Sequence, residues 1–356
     1  RIHATGTRYC PSIEDKVVKF ADKDRHQLFI EPEGRTTQEM YVQGLSTSLP
    51  ADVQEAMLHT IPGLERAQIM RYGYAIEYDC LDPQALDLSF MVKAVPGLFS
   101  GGQINGSSGY EEAAAQGFYA GVNAALYVKG EPPFIIGRDE GYLGVLVDDL
   151  VTKGTPEPYR MMTSRCEYRL LLRQDNADER LTEKARRTGL VSDERYDKLL
   201  RKREKVQAAR ARLDKRVPAD EKLRVYLESV GETVPHDGAR LFELLKRPNV
   251  SYTGLLGLYG ADLDLLDGET LEQIDVMARY DGYIEKERRG VERMRSLEAL
   301  ALPADFDYNT LSGLRLEARQ KLNGVRPANI GQASRISGVS PADVSVLLVA
   351  QKRGML

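Results

Sequence analysis

The alternation of apolar and polar positions changes character along the chain. Up to about residue 130, "HQLFIEPEG" and "EMYVQGLSTSLP" are short β-rich runs closed by glycine or proline, and "AQIMRYGYAIEYD" is a third. Between them, "SLPADVQEAMLHTIPG" sets Pro50 near a helix start, spaces Val53, Ala56 and Met57 helically and ends on a Pro-Gly stop. Strands mixed with helices predict an α/β region. From about residue 136 the period lengthens. "YDKLLRKREKVQAARARLDKR", "ARLFELLKRP" and "TLEQIDVMARYDGYIEKERRGVERMRSLEAL" are helical by spacing and composition, so the second half is expected to be all-α. Pro-rich "KGEPPF" marks one boundary and "ALPADFDYNTLSG" a second. Three domains are expected, over 1–133, 134–302 and 303–356, without internal repeats or low-complexity tracts.

Composition narrows the chemistry. At 356 residues the chain can bury two or three cores. Cys10, Cys80 and Cys166 are odd in number and widely spaced, which gives neither a disulfide framework nor a CxxC pair; a reducing, cytosolic setting and no metal site are expected. No apolar run approaches the roughly 18 residues that span a bilayer, and no signal segment opens the chain, so no membrane association is expected. With 49 Lys and Arg against 53 Asp and Glu, the net charge of -4 argues against nucleic-acid binding by the surface at large. A local basic face stays open. The opening "RIHATGTRYC" reads as the middle of a domain, and the chain is expected to be a fragment.

In "TRYCPSIEDK", Ser12 and Asp15 approximate a capping box, which sets Cys10 just outside a helix N-terminus, between Arg8 and Lys16. Positive charge and free N–H groups favour a thiolate, able to act as nucleophile or proton carrier. A small buried cysteine beside a turn fits the same residues. Cys80 and Cys166 lack such neighbours and are expected in the core. "GLFSGGQINGSSGYEEAAAQGFYAGVNAA", residues 97 to 125, runs from a strand end through a glycine-rich turn into a helix of small residues: Ala113, Ala114, Gly117, Ala120, Gly121 and Ala124. Such a helix can lie close to a sheet, and such a turn can let backbone approach a phosphate or flavin. The GxGxxG dinucleotide fingerprint is absent.

Arg165, Arg169 and Arg173 recur at four-residue spacing, with Arg160 about a turn earlier, which predicts a basic helical stripe. Residues 160 to 215 hold 17 Lys or Arg against 10 Asp or Glu, a local excess suited to a phosphate backbone. A helix laced with salt bridges accounts for much of 195 to 215. In "IGQASRISGVSPADVSVLLVAQKRG" two short helices about a turn mimic a helix-turn-helix, but the second is mostly apolar and offers few side chains for base edges. Its surplus of Val344, Val346, Leu347, Leu348 and Val349 is expected to be partly exposed, as a docking surface rather than a DNA reader.

"GTRYCPSIEDK", "EPEG", "STSLP", "GYAIEYD", "GQINGSSGYEEAAAQG", "GVLVDDLVTKGTPEPYRMMTSRCEYRLLLRQDNADERLTEK", "YDGYI" and "ANIGQASRISGVSPADVSVLL" together resemble the glucose-inhibited division protein A family, the MnmG/GidA-type tRNA uridine 5-carboxymethylaminomethyl modification enzymes. The resemblance runs over essentially the whole chain and corresponds to the C-terminal part of the family. It implies an α/β plus α fold: the C-terminal part of a Rossmann-like, glutathione-reductase-type FAD domain, then an all-α region.

It further implies FAD, NADH and methylene-tetrahydrofolate as cofactors and donor, a homodimer, and work with an MnmE-type GTPase on C5 of the tRNA wobble uridine. The family's catalytic cysteine falls on Cys10. Its nicotinamide-contacting stretch falls on Gly6, Thr7, Arg8, Tyr9, Cys10, Pro11, Ser12, Ile13, Glu14, Asp15, Lys16, Val17, Val18, Lys19 and Phe20. Its flavin-contacting glutamine falls on Gln103, with Asn105 and Gly106 beside it. The terminal module, 303–356, corresponds to the GTPase dock. Arg160, Arg165, Arg169 and Arg173 are the expected tRNA contacts. Thr7, Gly101 and "LDLSFMVK" depart from the family's usual residues. Without a GxGxxG turn, weak or absent FAD binding is expected of this chain. A small-molecule flavin oxidoreductase and a non-catalytic tRNA- and partner-binding fragment are the other readings.

Overall fold

A computed structural model describes residues 12–74 and 79–356. Cys10 and the Gly6 to Pro11 stretch therefore lie outside the described residues. The chain divides into two compact units, one built up to Gly121 together with Gly154–Arg160, the other from Val122–Lys153 and Met161–Leu356.

In the first unit, α1 spans Ile13–Lys19, and Ser12 caps it by accepting from the Asp15 backbone N–H at 3.2 Å. Strands β1 (Phe29–Pro32) and β2 (Met40–Gln43) form an antiparallel hairpin with Phe29 opposite Gln43 and Pro32 opposite Met40. Helix α2 covers Ala51–His59, as its spacing predicts. Among the described residues of the third expected strand, 67–74 are coil and bend; Ala75, Ile76, Glu77 and Tyr78 lie outside the described residues. Helix α3 runs Tyr110–Val128, its residues up to Gly121 belonging to this unit and the rest to the second.

The second unit is helical. Its elements are α4 (Tyr142–Asp148), which passes into a wider π-type turn over Asp149–Lys153, α5 (Ala177–Arg187), α6 (Asp193–Leu213), β3 (Arg216–Val217), α7 (Glu221–Ser229), β4 (Ala239–Arg240), α8 (Leu241–Leu245), α9 (Tyr252–Tyr259), α10 (Gly268–Arg279), α11 (Asp281–Glu298), α12 (Leu316–Val325), α13 (Ile330–Arg335) and α14 (Pro341–Lys352). Local chemistry sets most starts: Ser192, Asp220, Ser251 and Asp267 each cap the following helix through a side-chain oxygen. Leu213, Leu223, Leu227, Leu241, Leu245, Leu255 and Ile274 fill one core, under α6 to α10. A second core holds Tyr308, Leu311, Leu322, Ile330, Ile336, Val344 and Leu347.

Two expectations fail at the level of elements. Residues 160–173 are not a helix; beyond a 3-10 turn over Thr163–Arg165 they form bends and turns. The α14 apolar residues are not an exposed surplus either. Val344 and Leu347 are buried, Val346 and Leu348 lie partly buried against the same core, and only Val349 is half exposed.

Candidate functional site

The glycine-rich turn builds a polar knot. Gly102 and Gly106 take positive φ values of 96° and 81°, which a side chain would strain, and bracket the 3-10 turn Gln103–Asn105. Asn105, fully buried, donates to the Ser100 carbonyl at 3.0 Å and to Gln116 Oε1 at 3.1 Å, and accepts from Ser100 Oγ at 2.6 Å. Gln116 in turn donates to Ser107 Oγ at 2.6 Å and accepts from the Gly102 N–H at 3.2 Å. Every polar atom of the Asn105 amide is thus used inside the protein, so Asn105 shapes the turn rather than facing outward. The Gln103 amide donates to the Asp79 carbonyl. At Gly101 a Cβ would stand 3.0 Å from the backbone of Gln116 and Gly117, so glycine suits this close approach.

The outer edge of the turn is Gly101 and Ile104, both exposed, with Gln103 half buried between them. Small and apolar groups beside one amide fit the flank of a planar ring such as a flavin. They do not fit its pyrophosphate: the first turn of α3 carries exposed Glu111, whose charge opposes an anion there. The small-residue face of α3 is only partly covered. Ala120 is buried and Ala113 and Ala124 half buried, but Ala114, Gly117 and Gly121 are exposed, and a Cβ at either glycine would meet nothing within 4 Å.

Of the Gly6 to Phe20 stretch, Ser12 to Lys16 are half buried and Val17 to Phe20 exposed. Glu14 accepts from Thr47 Oγ1 and, at 3.1 Å, from the Ser48 N–H. Burial pushes its carboxyl up, and those hydrogen bonds outweigh it, so its pKa is lowered. Lys16 donates to the Gly44 carbonyl at 2.8 Å, which ties α1 to the end of β2 and leaves the ammonium facing the chain's own backbone.

The four expected tRNA contacts do not lie on one helix. Arg160 pairs with buried Glu112 at 3.4 Å and donates to the Ser108 carbonyl at 2.7 Å. Arg173 is held by Asp175 at 2.9 Å. Arg165 is half buried and Arg169 exposed. The helix they need is prevented by distant partners: Glu287 accepts from the backbone N–H groups of Leu170 and Leu171 at 3.4 and 3.1 Å, and the Arg165 carbonyl accepts from Arg138 at 3.3 Å. Backbone groups that would close helical turns are already bonded elsewhere. Many cations of 177–215 are spent likewise, among them Lys184 on Glu140, Lys202 on Asp178, Arg203 on Glu179 and Lys215 on Asp262. The salt-bridge-laced reading therefore accounts for this stretch.

Sequence reasoning missed the buried ion cluster beneath these turns. Arg138 reaches Asp148 at 3.0 Å, Asp149 at 2.8 Å and Glu167 at 2.7 Å, and Arg335 reaches Asp148 and Glu298, each at 2.8 Å. Burial would discharge Arg138; Asp149, Asp148 and Glu167 override it and hold the guanidinium charged. Burial also pushes Asp149 up, but Arg138 and Lys153 outweigh it, so its carboxyl stays ionised. The available signal was the acid pair inside the apolar run "GYLGVLVDDLV". Cys166 is buried, as expected, and burial raises its thiol, which makes it inert. Cys80 is exposed, against expectation. Among the described residues no helix is long and apolar enough to cross a membrane, and no His, Cys, Asp and Glu group could hold a metal.

Comparison with known proteins gives a consistent result. Residues 1–132 match the family model "Glucose inhibited division protein A", residues 193–288 that of the tRNA modifying enzyme MnmG/GidA C-terminal helical domain, and residues 290–355 that of its C-terminal helical bundle. The chain is 55% identical over 98% of its length to a tRNA uridine 5-carboxymethylaminomethyl modification enzyme MnmG of Alkaliphilus metalliredigens, covering 55% of that protein. It is 56% identical, over 98% of its length, to one of Caldicellulosiruptor saccharolyticus, covering 56% of it. A crystal structure of Aquifex aeolicus GidA aligns with a TM-score of 0.79 at 43% identity, over 98% of this chain and 56% of that one. The chain thus spans about half the length of the curated relatives it matches.

Proposed function

We propose, from the premise that this chain belongs to the glucose inhibited division protein A (MnmG/GidA) family, that it serves in installing aminomethyl or carboxymethylaminomethyl groups on C5 of the tRNA wobble uridine. The observation that carries this reading is 55% identity sustained over 98% of the chain with an enzyme named for that modification. The finer parts of the proposal are FAD, NADH and methylene-tetrahydrofolate, a homodimer, an MnmE-type GTPase docking on 303–356, and a cytoplasmic setting. They rest on the family resemblance. Since α14 turns its apolar side chains inward, the dock draws no support from an exposed apolar face.

Uracil C5 is a weak nucleophile. A thiolate adding to C6 pushes electron density onto C5, and Cys10, with Arg8 and Lys16 near it in sequence, is the residue proposed for that addition or for the accompanying proton transfer. The flavin, when bound, supplies hydride chemistry to the one-carbon unit, and Gly101, Gln103 and Ile104 are the described residues that would flank its ring. Incubation with tRNA carrying 5-fluorouridine at the wobble position, followed by mass spectrometry, tests the reading. An adduct on Cys10 that is lost in Cys10→Ser supports covalent addition. An adduct on another residue overturns the assignment to Cys10.

A further inference from the structure

Helix α11 carries a flank that the ion pairs of this unit leave untouched. Lys286, Arg289 and Arg293 are all exposed and, with Glu292 and Ser296, line an open groove of about 510 Å³. Among the described residues neither Lys286 nor Arg293 has a carboxylate within ion-pair distance, and Arg289 makes only a long contact, 3.4 Å, to the Glu285 carbonyl. Other exposed cations of the same helix behave differently: Arg288 reaches Glu285 at 2.7 Å and Arg295 reaches Asp139 at 2.5 Å. Lys286 to Arg289 and Arg289 to Arg293 are like-charged pairs three and four residues apart, about 5–6 Å between Cβ atoms, an arrangement that weakens an isolated helix by about 0.2–0.5 kcal/mol per pair. Such a row is favourable once a polyanion neutralises it.

Two further groups belong to this region. The turn bearing Arg169 is fastened to α11 by Glu287, and the Tyr168 ring lies against Gly290; Arg169 itself is exposed. Tyr283, 66% exposed, stands about one turn before Lys286 and offers a ring on which a base can stack. Cations interleaved with an exposed aromatic ring suit RNA better than an acidic protein surface.

We propose that Lys286, Arg289 and Arg293 on α11, with Arg169 on the turn that Glu287 fastens to this helix, hold the phosphate backbone of the RNA substrate, in place of one continuous Arg160 to Arg173 stripe. This rests on the tRNA reading above and assigns the contact to a different face. Each phosphate neutralised releases counterions, so the slope of log K against log salt counts the contacts, at about 0.9 per phosphate on duplex DNA and about 0.7 on a single strand.

The test is fluorescence anisotropy of the whole chain with labelled tRNA across a salt series. Lys286→Gln/Arg289→Gln/Arg293→Gln should weaken binding at least tenfold and lower the slope by about 2–3, while Arg160→Gln leaves the slope unchanged. All five side chains of the groove are exposed, so thermal melting should be unaltered. Glu292→Gln, which removes the one negative charge, should tighten binding. An unchanged slope in the triple variant of a chain that binds tRNA overturns the assignment of the face alone. A wild-type chain that binds no tRNA at any salt concentration overturns the tRNA reading together with it.

Discussion

Gly144 shows how much a single position can decide. A Cβ there would stand 2.1 Å from the Gly137 carbonyl oxygen, a contact with backbone that no rotamer relieves. Gly144→Ala should therefore cost about 3 kcal/mol and lower the urea midpoint. Gly121, in the interior of α3, has nothing within 4 Å of its missing Cβ. Gly121→Ala should stabilise the chain by about 0.5–1 kcal/mol through helix propensity alone. A loss of stability in that variant would mean that the exposed face of α3 is covered in solution. The sequence showed glycines at both places and could not separate them, because the difference lies in what crosses the chain there. The same holds for Asn105: its position beside a glycine turn was legible, but the Ser100 and Gln116 groups that consume its amide were not.

At the level of elements, what could be read was whatever is governed locally. Ser192 starts α6 and Ser340 starts α14 with a full capping box, Pro341 following at the first helical position; cap and helix lie within a few residues, and the pattern alone locates them. The segment 160–173 was misread because its backbone partners are remote: Glu287 is 116 residues from Leu171 in sequence. Helix α14 was placed correctly but its burial was not, since α12, α13 and the 3-10 turn at Tyr308 supply the cover. Leu347→Ala should cost about 2–5 kcal/mol, whereas Val349→Asp should stay within about 0.5 kcal/mol of the parent. Equal losses from the two would restore the exposed-face reading. The cap also carries a pH signature. Burial pushes the Asp343 carboxyl up, yet hydrogen bonds from Arg315 and from the Ser340 side chain and backbone outweigh this and hold it well below its ordinary value of 3.8. The folded value lies below the unfolded one, so the stabilisation is complete above the ordinary value and fades as pH falls beneath it. Asp343→Asn should flatten the acid side of the stability curve between about pH 4 and 2, measured by denaturant melts at each pH. A curve as steep as the parent's would assign the acid sensitivity to other carboxylates.

Across the helical unit as a whole, the buried ion cluster ties together segments far apart in sequence. Asp148, at the end of α4, lies between Arg138 at 3.0 Å and Arg335 of α13 at 2.8 Å, and the latter contact spans 187 residues. Arg335 also holds Glu298 at the end of α11. One guanidinium thus fastens the terminal helices both to the α4 turn and to the helix that carries the cationic flank. A buried pair is not favourable merely by being charged, since desolvation offsets most of the attraction, but removing one partner leaves the other buried and uncompensated. Arg335→Met should accordingly cost about 3–5 kcal/mol, and Asp148→Leu a comparable amount, because each leaves buried charge behind. Removing both at once takes away the charge together with its partner. The double variant should therefore lie well short of the sum of the two losses, with a coupling of about 2 kcal/mol or more in a double-mutant cycle read from urea melts. Limited proteolysis gives the location: in Arg335→Met, cleavage between α11 and α12 should accelerate, as the terminal bundle opens before the α6 to α10 core. A coupling below about 0.5 kcal/mol, with an unchanged cleavage pattern, would show that the apolar core around Leu347 holds the bundle in place without the ion pair.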